Sequence, residues 1–313
     1  MKVYSEIEDI DYNPDSIITV GTFDGVHLGH QKVLRQLIEK SKKYNLRAVV
    51  VTFDPHPQHV VQNPKYEPIK LLTDINERIR LFKQLGIENV LVIPFSMEFA
   101  NLSPEEFVEQ IFVKKIGVNK VLIGYDHLFG NQRSGDFTLL TELGEKFGFT
   151  TERLKVEVKD ELIISSSKIR KAIASSMIEY ANSLLGYHYT ISGIVVQGYG
   201  LAAKLGFPTA NIGNIHPQKQ LPAYGVYLTS ALIDGKRYYG MANCGIRPTL
   251  LTEKRPSLEV HFFDFEGNIY GKVIDLEVIN FIRFERKFED AEELKMQIYC
   301  DRQKCYELIG YRQ

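Results

Sequence analysis

The segment GTFDGVHLGH, Gly21 to His30, sets two histidines three residues apart among glycines, directly after an apolar run. Such a pair admits three readings: metal ligands, a phosphate clamp, or the packing of a turn. Metal is the weakest. Zinc wants three or four ligands, and H-x-G-H has neither the Glu nor the i,i+4 spacing of H-E-x-x-H. Phosphate suits the local pattern better. Gly21 and Gly25 let backbone amides approach a ligand, and a helical pattern begins near Leu28. His27 and His30 then flank a helix N-terminus, where free N–H groups and partial positive charge favour anions.

A second anion-binding pattern is IISSSKIRKAI, in which Ser165, Ser166 and Ser167 precede a helix carrying Lys168 and Arg170. Hydroxyls, helix-start amides and two cations favour an anion. Taken alone, the same residues read as a serine N-cap followed by solvated basic side chains. A third pattern, KLGFPTANI, places Thr209 and Asn211 on a turn made by Gly206 and Pro208. A hydroxyl and an amide oxygen two residues apart suit a hard cation such as Mg²⁺, although taken alone a Gly-Pro turn with polar caps is the plainer reading. In SLEVHFFDF, strand alternation sends Leu258, Val260 and Phe262 to one face and Glu259, His261 and Phe263 to the other. Glu259 then points out of the apolar core, where a carboxylate can take the proton of an attacking hydroxyl. A solvated strand glutamate is the plainer alternative. FDPHPQH offers Asp54, His56 and His59 as a possible metal triad, but Pro55 and Pro57 stiffen an extended loop rather than a helix face.

Two kinds of scaffold must position these groups. Up to about residue 180, short β-branched runs (SIITVGTF, RAVVVTF, NVLVIPF, KVLIG) alternate with helical patterns. That rhythm predicts buried parallel strands joined by crossover helices, a doubly wound α/β domain of Rossmann-like type. Its ligands belong beyond the carboxyl ends of the strands, where GTFDGVHLGH, FDPHPQH and GYDHLFG all fall. SPEE at Ser103 predicts a capping box with Pro at the first helical position. After Leu185 the pattern becomes closely spaced strands with no helices between them, including an Asp-Gly hairpin signal at Asp234-Gly235. A small antiparallel β-barrel closed by one terminal helix is expected there. The domains are placed at 1–184 and 185–313.

Lys and Arg total 38 against 39 Asp and Glu. No basic excess points to nucleic acid. Apolar runs are too short to span a bilayer, and MKVYSEIEDIDY lacks the apolar stretch of a signal peptide. Three cysteines without C-x-x-C spacing predict free thiols in a reducing, cytoplasmic setting. Cys244, beside Asn243, is expected to be buried and inert.

H-x-G-H together with ISSSKIR resembles the cytidylyltransferase-like nucleotidyltransferases. More narrowly, GTFDGVHLGH, TFDPHP, GYDHLFGNQRSGDF and ISSSKIRKAI, followed by LGFPTANI, PAYGVY, ANCGIRPT, LEVHFFDF and IRFERKF, resemble the bacterial bifunctional riboflavin kinase/FAD synthetase family over nearly the whole chain. The resemblance implies phosphorylation of riboflavin to FMN in the barrel and adenylylation of FMN to FAD, with release of pyrophosphate, in the α/β domain. It implies that His27 and His30 hold the triphosphate, helped by Gly21, Phe23, Asp24 and Gly25. Ser166, Lys168 and Arg170 would bind its phosphates, and Asp126 the nucleotide or its Mg²⁺. In the barrel it implies Mg²⁺ on Thr209 and Asn211, Glu259 as base, ATP contacts from Gly198, Gly200 and Lys204, and flavin contacts from Asn243, Arg247 and Arg283. The partners implied are riboflavin, FMN and ATP, with FAD as product, and no nucleic acid or membrane. The one protein partnership expected is weak self-association. The chain departs from the family pattern at His127-Leu128 and at Ala202-Ala203, where a Gly-Arg pair is usual. Kinase activity with weaker ATP binding is expected. The departure at Ala202-Ala203 keeps open a rival, a monofunctional FAD synthetase whose barrel is a flavin-binding or assembly module. A more distant rival is a transferase acting on another phosphorylated alcohol.

Overall fold

The β-branched runs of the first half form a six-stranded sheet. Its strands are β1 (Lys2–Tyr4), β2 (Ser16–Val20), β3 (Arg47–Asp54), β4 (Asn89–Pro94), β5 (Val118–Ile123) and β6 (Thr150–Arg153). Their order is β1-β4-β3-β2-β5-β6, and every pairing is parallel. The computed structural model describes residues 1–61, 68–124, 135–154, 164–198, 205–247 and 255–310, with the backbone alone at 246–247 and 255–256. Two units emerge from the contacts, Met1–Ser165 and Ser166–Gln313.

Parallel strands must be covered on both faces, and the alternation of side chains shows how. Ile18, Val20, Val49, Val51, Leu91 and Ile93 pack on one side with Phe107, Ile111 and Leu140. Ile17, Val50, Val90 and Val92 pack on the other with Leu34, Leu37 and Phe82. The covering helices include α1 (Leu28–Tyr44), then α2 (Pro57–Val60), α3 (Ile75–Gln84), α4 (Met97–Ala100), α5 (Pro104–Phe107) and α6 (Phe137–Phe147). The capping box at Ser103 is formed, with Ser103 Oγ accepting from Glu106 N and Glu106 accepting from Ser103 N. Beyond Phe107 the helix widens to a π-helix over Val108–Ile116, which Gly117 ends at φ 77°. Strand β2 lies between β3 and β5, so the chain runs outward through β3 and β4 and returns on the opposite side of β2. The carboxyl ends of β2 and β5 thus form the switch point at which α/β sheets bind ligands.

The second unit opens with α7 (Ser166–Ala174) and α8 (Ile178–Leu185). Strands β7 (Tyr189–Val196), β8 (Ala210–Gly213), β9 (Gly225–Ile233), β10 (Lys236–Arg247), β11 (Arg255–Phe262) and β12 (Val273–Phe284) close into a barrel, β10-β11-β8-β7-β12-β9. All pairings are antiparallel. The Asp-Gly hairpin is present, with Asp234 at φ 50° and Gly235 at φ 81° between β9 and β10. Helix α9 (Ala291–Leu308) brings Cys305 and Tyr306 against Phe207, Val226, Leu228 and Met241. Although α7 and α8 precede the change in rhythm at residue 185, they are tied to the barrel. Asn182 donates to Val278 O and Ile279 O and accepts from Tyr189 N, and Ser176 meets Tyr227 at 2.9 Å.

Candidate functional site

The turn after β2 has an unusual backbone. Phe23, Gly25 and Val26 all have positive φ, at 48°, 80° and 35°. Glycine adopts this freely, but a bulky and a β-branched residue there are strained by about 1–3 kcal/mol each, and such strain persists only where the surroundings fix it. Asp24 supplies much of that fixing. Its buried carboxylate accepts from Leu72 N (2.9 Å) and Thr73 N (2.9 Å), and Thr73 Oγ1 in turn accepts from Gly25 N (2.9 Å). Gly21 N donates to Val51 O. Asp24, expected among the nucleotide contacts, here braces the turn.

His27 N-caps α1, its Nδ1 accepting from His30 N at 3.4 Å. The two imidazoles stack, with centroids 3.6 Å apart and planes 18° apart, and Phe23 meets His30 edge-on at 5.3 Å. Burial, then the charges of His27 and Arg78, hold His30 well below the usual 6.5. His30 is therefore neutral near pH 7. Its Nδ1 is buried and lacks a hydrogen-bond partner among the described residues. A stacked, largely dry imidazole pair at a helix start is suited to receiving an anion, which would favour its protonated form.

Sequence reasoning missed Arg78, although α3 carries the signal. Ile75, Arg78, Ile79 and Phe82 follow the i, i+3, i+4, i+7 stripe of an inward face, and Arg78 is buried at 1% exposure. Its Nη1 donates to Thr52 Oγ1 (3.0 Å) and Phe53 O (3.1 Å), and its Nη2 approaches Thr73 O at 3.4 Å. The segment expected as an extended loop instead turns at Pro57, which suits the first helical position, into the short helix α2, N-capped by His56, and His59 Nε2 lies 2.7 Å from Ile69 O. Among the described residues, no three His, Cys, Asp or Glu side chains group as metal ligands. Ser166, Lys168 and Arg170 stand in the first turns of α7. Lys168 Nζ lies over the Tyr180 ring, and Arg170 reaches Ser167 Oγ at 3.4 Å. Asp126 and His127-Leu128 lie outside the described residues.

In the barrel, three expected residues share one cross-strand row. Glu259 of β11 is paired with Asn211 of β8 on one side and with Asn243 of β10 on the other. Directly paired residues of antiparallel strands point to the same face. Leu258, Val260 and Phe262 are buried and Glu259 is half-buried, the alternation expected from the sequence. Thr209 Oγ1 donates toward Glu259 Oε2 at 3.4 Å. Asn211 is 3% exposed, and its Oδ1 is buried without a partner among the described residues. Gly198 is required by this packing, because a Cβ there would lie 2.0 Å from Asn211 Nδ2. His261, two residues from Glu259, donates from Nδ1 to Pro208 O at 2.8 Å and so steadies the turn that carries Thr209.

Of the expected flavin contacts Asn243 stands in that row, and the two arginines lie outside it. Arg283 makes a forked ion pair with buried Asp301 of α9, Nε at 2.9 Å and Nη2 at 2.8 Å. Arg247 ends β10, its backbone paired with Arg255. Gly200, Lys204 and Ala202-Ala203 lie outside the described residues. Cys244 is fully buried, and burial pushes its thiol up to about 12, so it stays protonated.

The chain matches the FAD synthetase family over residues 9–168 and the riboflavin kinase family over residues 185–309. It is 39% identical to a bifunctional riboflavin kinase/FMN adenylyltransferase of Bacillus subtilis, across 92% of this chain and 91% of the relative. It is 36% identical to the enzyme of the same name from Escherichia coli K12, across 99% and 98%. A crystal structure described as a macrolide-efflux protein from Streptococcus pneumoniae superposes with a TM-score of 0.85 at 29% identity, across 96% and 97%. No helix among the described residues is long and apolar enough to cross a membrane.

Proposed function

The chain belongs to the bifunctional riboflavin kinase/FMN adenylyltransferase family, and from that premise we propose how its residues divide the work. The protein phosphorylates riboflavin to FMN and adenylylates FMN to FAD, with ATP as co-substrate of both reactions. The kinase residues are those of the barrel row. Glu259 takes the proton of the riboflavin 5′-hydroxyl as it attacks the γ-phosphorus of ATP, and ADP leaves as the β,γ-bridging P–O bond breaks. Thr209 and Asn211 would hold Mg²⁺. A buried amide oxygen without a partner, beside a hydroxyl and a carboxylate, is the hard oxygen donor set that this ion takes. When bound, Mg²⁺ neutralises phosphate charge and aligns ATP. Asn243, on the other side of Glu259 in the row, orients the flavin alcohol. Arg283 acts on the flavin through its anchorage of α9, and Arg247, Gly198, Gly200 and Lys204 line the substrates.

The transferase residues are those of the turn after β2. FMN phosphate attacks the α-phosphorus of ATP in line, and pyrophosphate leaves. No covalent enzyme intermediate is needed, so the protein's work is positioning and charge neutralisation. His27 and His30 meet the triphosphate at the start of α1, with Gly21, Phe23 and Gly25 shaping the backbone around it. Asp24 acts from behind, through Thr73. Ser166, Lys168 and Arg170 contribute phosphate contacts from the start of α7, and Asp126 contacts the nucleotide. A cytoplasmic enzyme of free small molecules is the setting that fits this chemistry and the free thiols.

The observation that carries the division is that the two constellations are built on different scaffolds, a stacked imidazole pair on a parallel sheet and a carboxylate-amide row on a closed barrel. His30→Ala tests it. FAD formation from FMN should be lost while FMN formation from riboflavin continues at the parental rate, both followed by chromatography. FAD made at the parental rate by His30→Ala would overturn the transferase assignment.

A further inference from the structure

We propose that Arg78 is a positioning residue of the adenylyl-transfer site, locking the strained turn that presents His27 and His30. The inference rests on the assignment of those histidines to the transferase. Arg78 acts through the segments that hold the turn.

Burial works against its charge, with Asp24, Asp54, Asp74 and Glu77 favouring it. Guanidinium stays protonated in proteins, and none of the ion pairs among the described residues includes Arg78. An unpaired buried cation is costly, and here its hydrogen bonds all go to the frame of one turn. The bond to Thr52 Oγ1 continues to Thr22 O, which Thr52 reaches at 3.2 Å. The bond to Phe53 O fixes the end of β3. The contact with Thr73 O bears on the residue that holds both Asp24 and Gly25. These branches reach the positive-φ segment Phe23–Val26 from two sides. Its Nε has no partner among the described residues, so two of the three guanidinium nitrogens do the bracing. The same charge faces His30, together with His27 on its own turn.

A planar fork reaching both β3 and the loop before α3 cannot be replaced by a point charge. Arg78→Lys keeps the charge and loses the fork, Arg78→Met loses both, and Thr52→Val deletes one branch without touching a charge. The full-length chain is assayed for FAD formation from FMN, with kinase activity of the same protein as internal control and the His30 imidazole followed by NMR across pH. For Arg78→Met, FAD formation should fall at least tenfold with a raised KM for ATP, and the His30 midpoint should move up. Arg78→Lys should keep the parental midpoint while remaining severalfold slow. Thr52→Val should be slowed severalfold, and it decides the matter if Arg78→Met does not fold. Kinase activity should stay within twofold of the parent throughout. Folded Arg78→Met with a parental KM for ATP and an unmoved His30 midpoint would overturn the proposal, as would Thr52→Val at the parental rate where Arg78→Met is lost. His30→Ala that still makes FAD would instead overturn the site assignment on which it rests.

Discussion

Thr209 directs its hydroxyl at Glu259 Oε2 across 3.4 Å, and Asn211 stands directly opposite the same Glu259 in the neighbouring strand. Residues 50 positions apart in sequence therefore share a corner of oxygen donors that neither segment forms alone.

Gly198 is the most sensitive backbone position in it. A methyl group would lie 2.0 Å from Asn211 Nδ2 and push the amide out of the row. A displacement of about 1 Å at a reacting centre can cost about 10²-fold in rate. Gly198→Ala should lower FMN formation by about that factor and leave FAD formation unchanged, which steady-state assays of both products will check.

Asp24→Ala should act on stability first. The substitution leaves the amides of Leu72 and Thr73 buried without their acceptor. Removing a charged acceptor from buried donors costs about 3 kcal/mol. Urea unfolding followed in the first unit should show that loss, and FAD formation should fall with it as the Gly25 turn loosens.

His30 makes stability depend on pH in a defined direction. Folding holds its imidazole below the 6.5 of an exposed histidine. Between the two values the unfolded chain binds a proton that the folded chain does not, so stability rises with pH across that window. The contribution is fully present above 6.5 and is lost as pH falls toward the folded value. Urea midpoints on either side of 6.5 should differ for the parent and differ less for His30→Gln. An equal slope in both proteins would exclude His30 as the titrating group.

Much of this architecture is legible in the sequence because its causes are local. Apolar runs separated by helical patterns give the parallel layers, Ser103 and Glu106 give a capping box, Asp234-Gly235 give a hairpin, and the alternation around Leu258–Phe263 turns Glu259 away from the core. What escapes is set by tertiary pairing. Nothing near Asp24 announces that its acceptors serve Leu72 and Thr73, 48 and 49 residues on. Arg283, named as a flavin contact, is tied to Asp301 only because β12 and α9 meet. Arg78 was visible as a charge on an apolar helical stripe, but its purpose depends on where Thr52 and Thr73 come together. Segments such as 125–134 and 199–204 carry Asp126, Gly200 and Lys204, whose roles rest on the family resemblance.

The most direct test of two independent ATP-using sites on one chain is the Glu259→Gln protein, assayed in parallel with riboflavin and with FMN, each with ATP and Mg²⁺. Gln keeps the shape of the row and removes the base, so FMN formation should drop by about 10²–10⁴-fold while FMN is converted to FAD at the parental rate. FMN formation at the parental rate, or loss of both products from a folded protein, would contradict it.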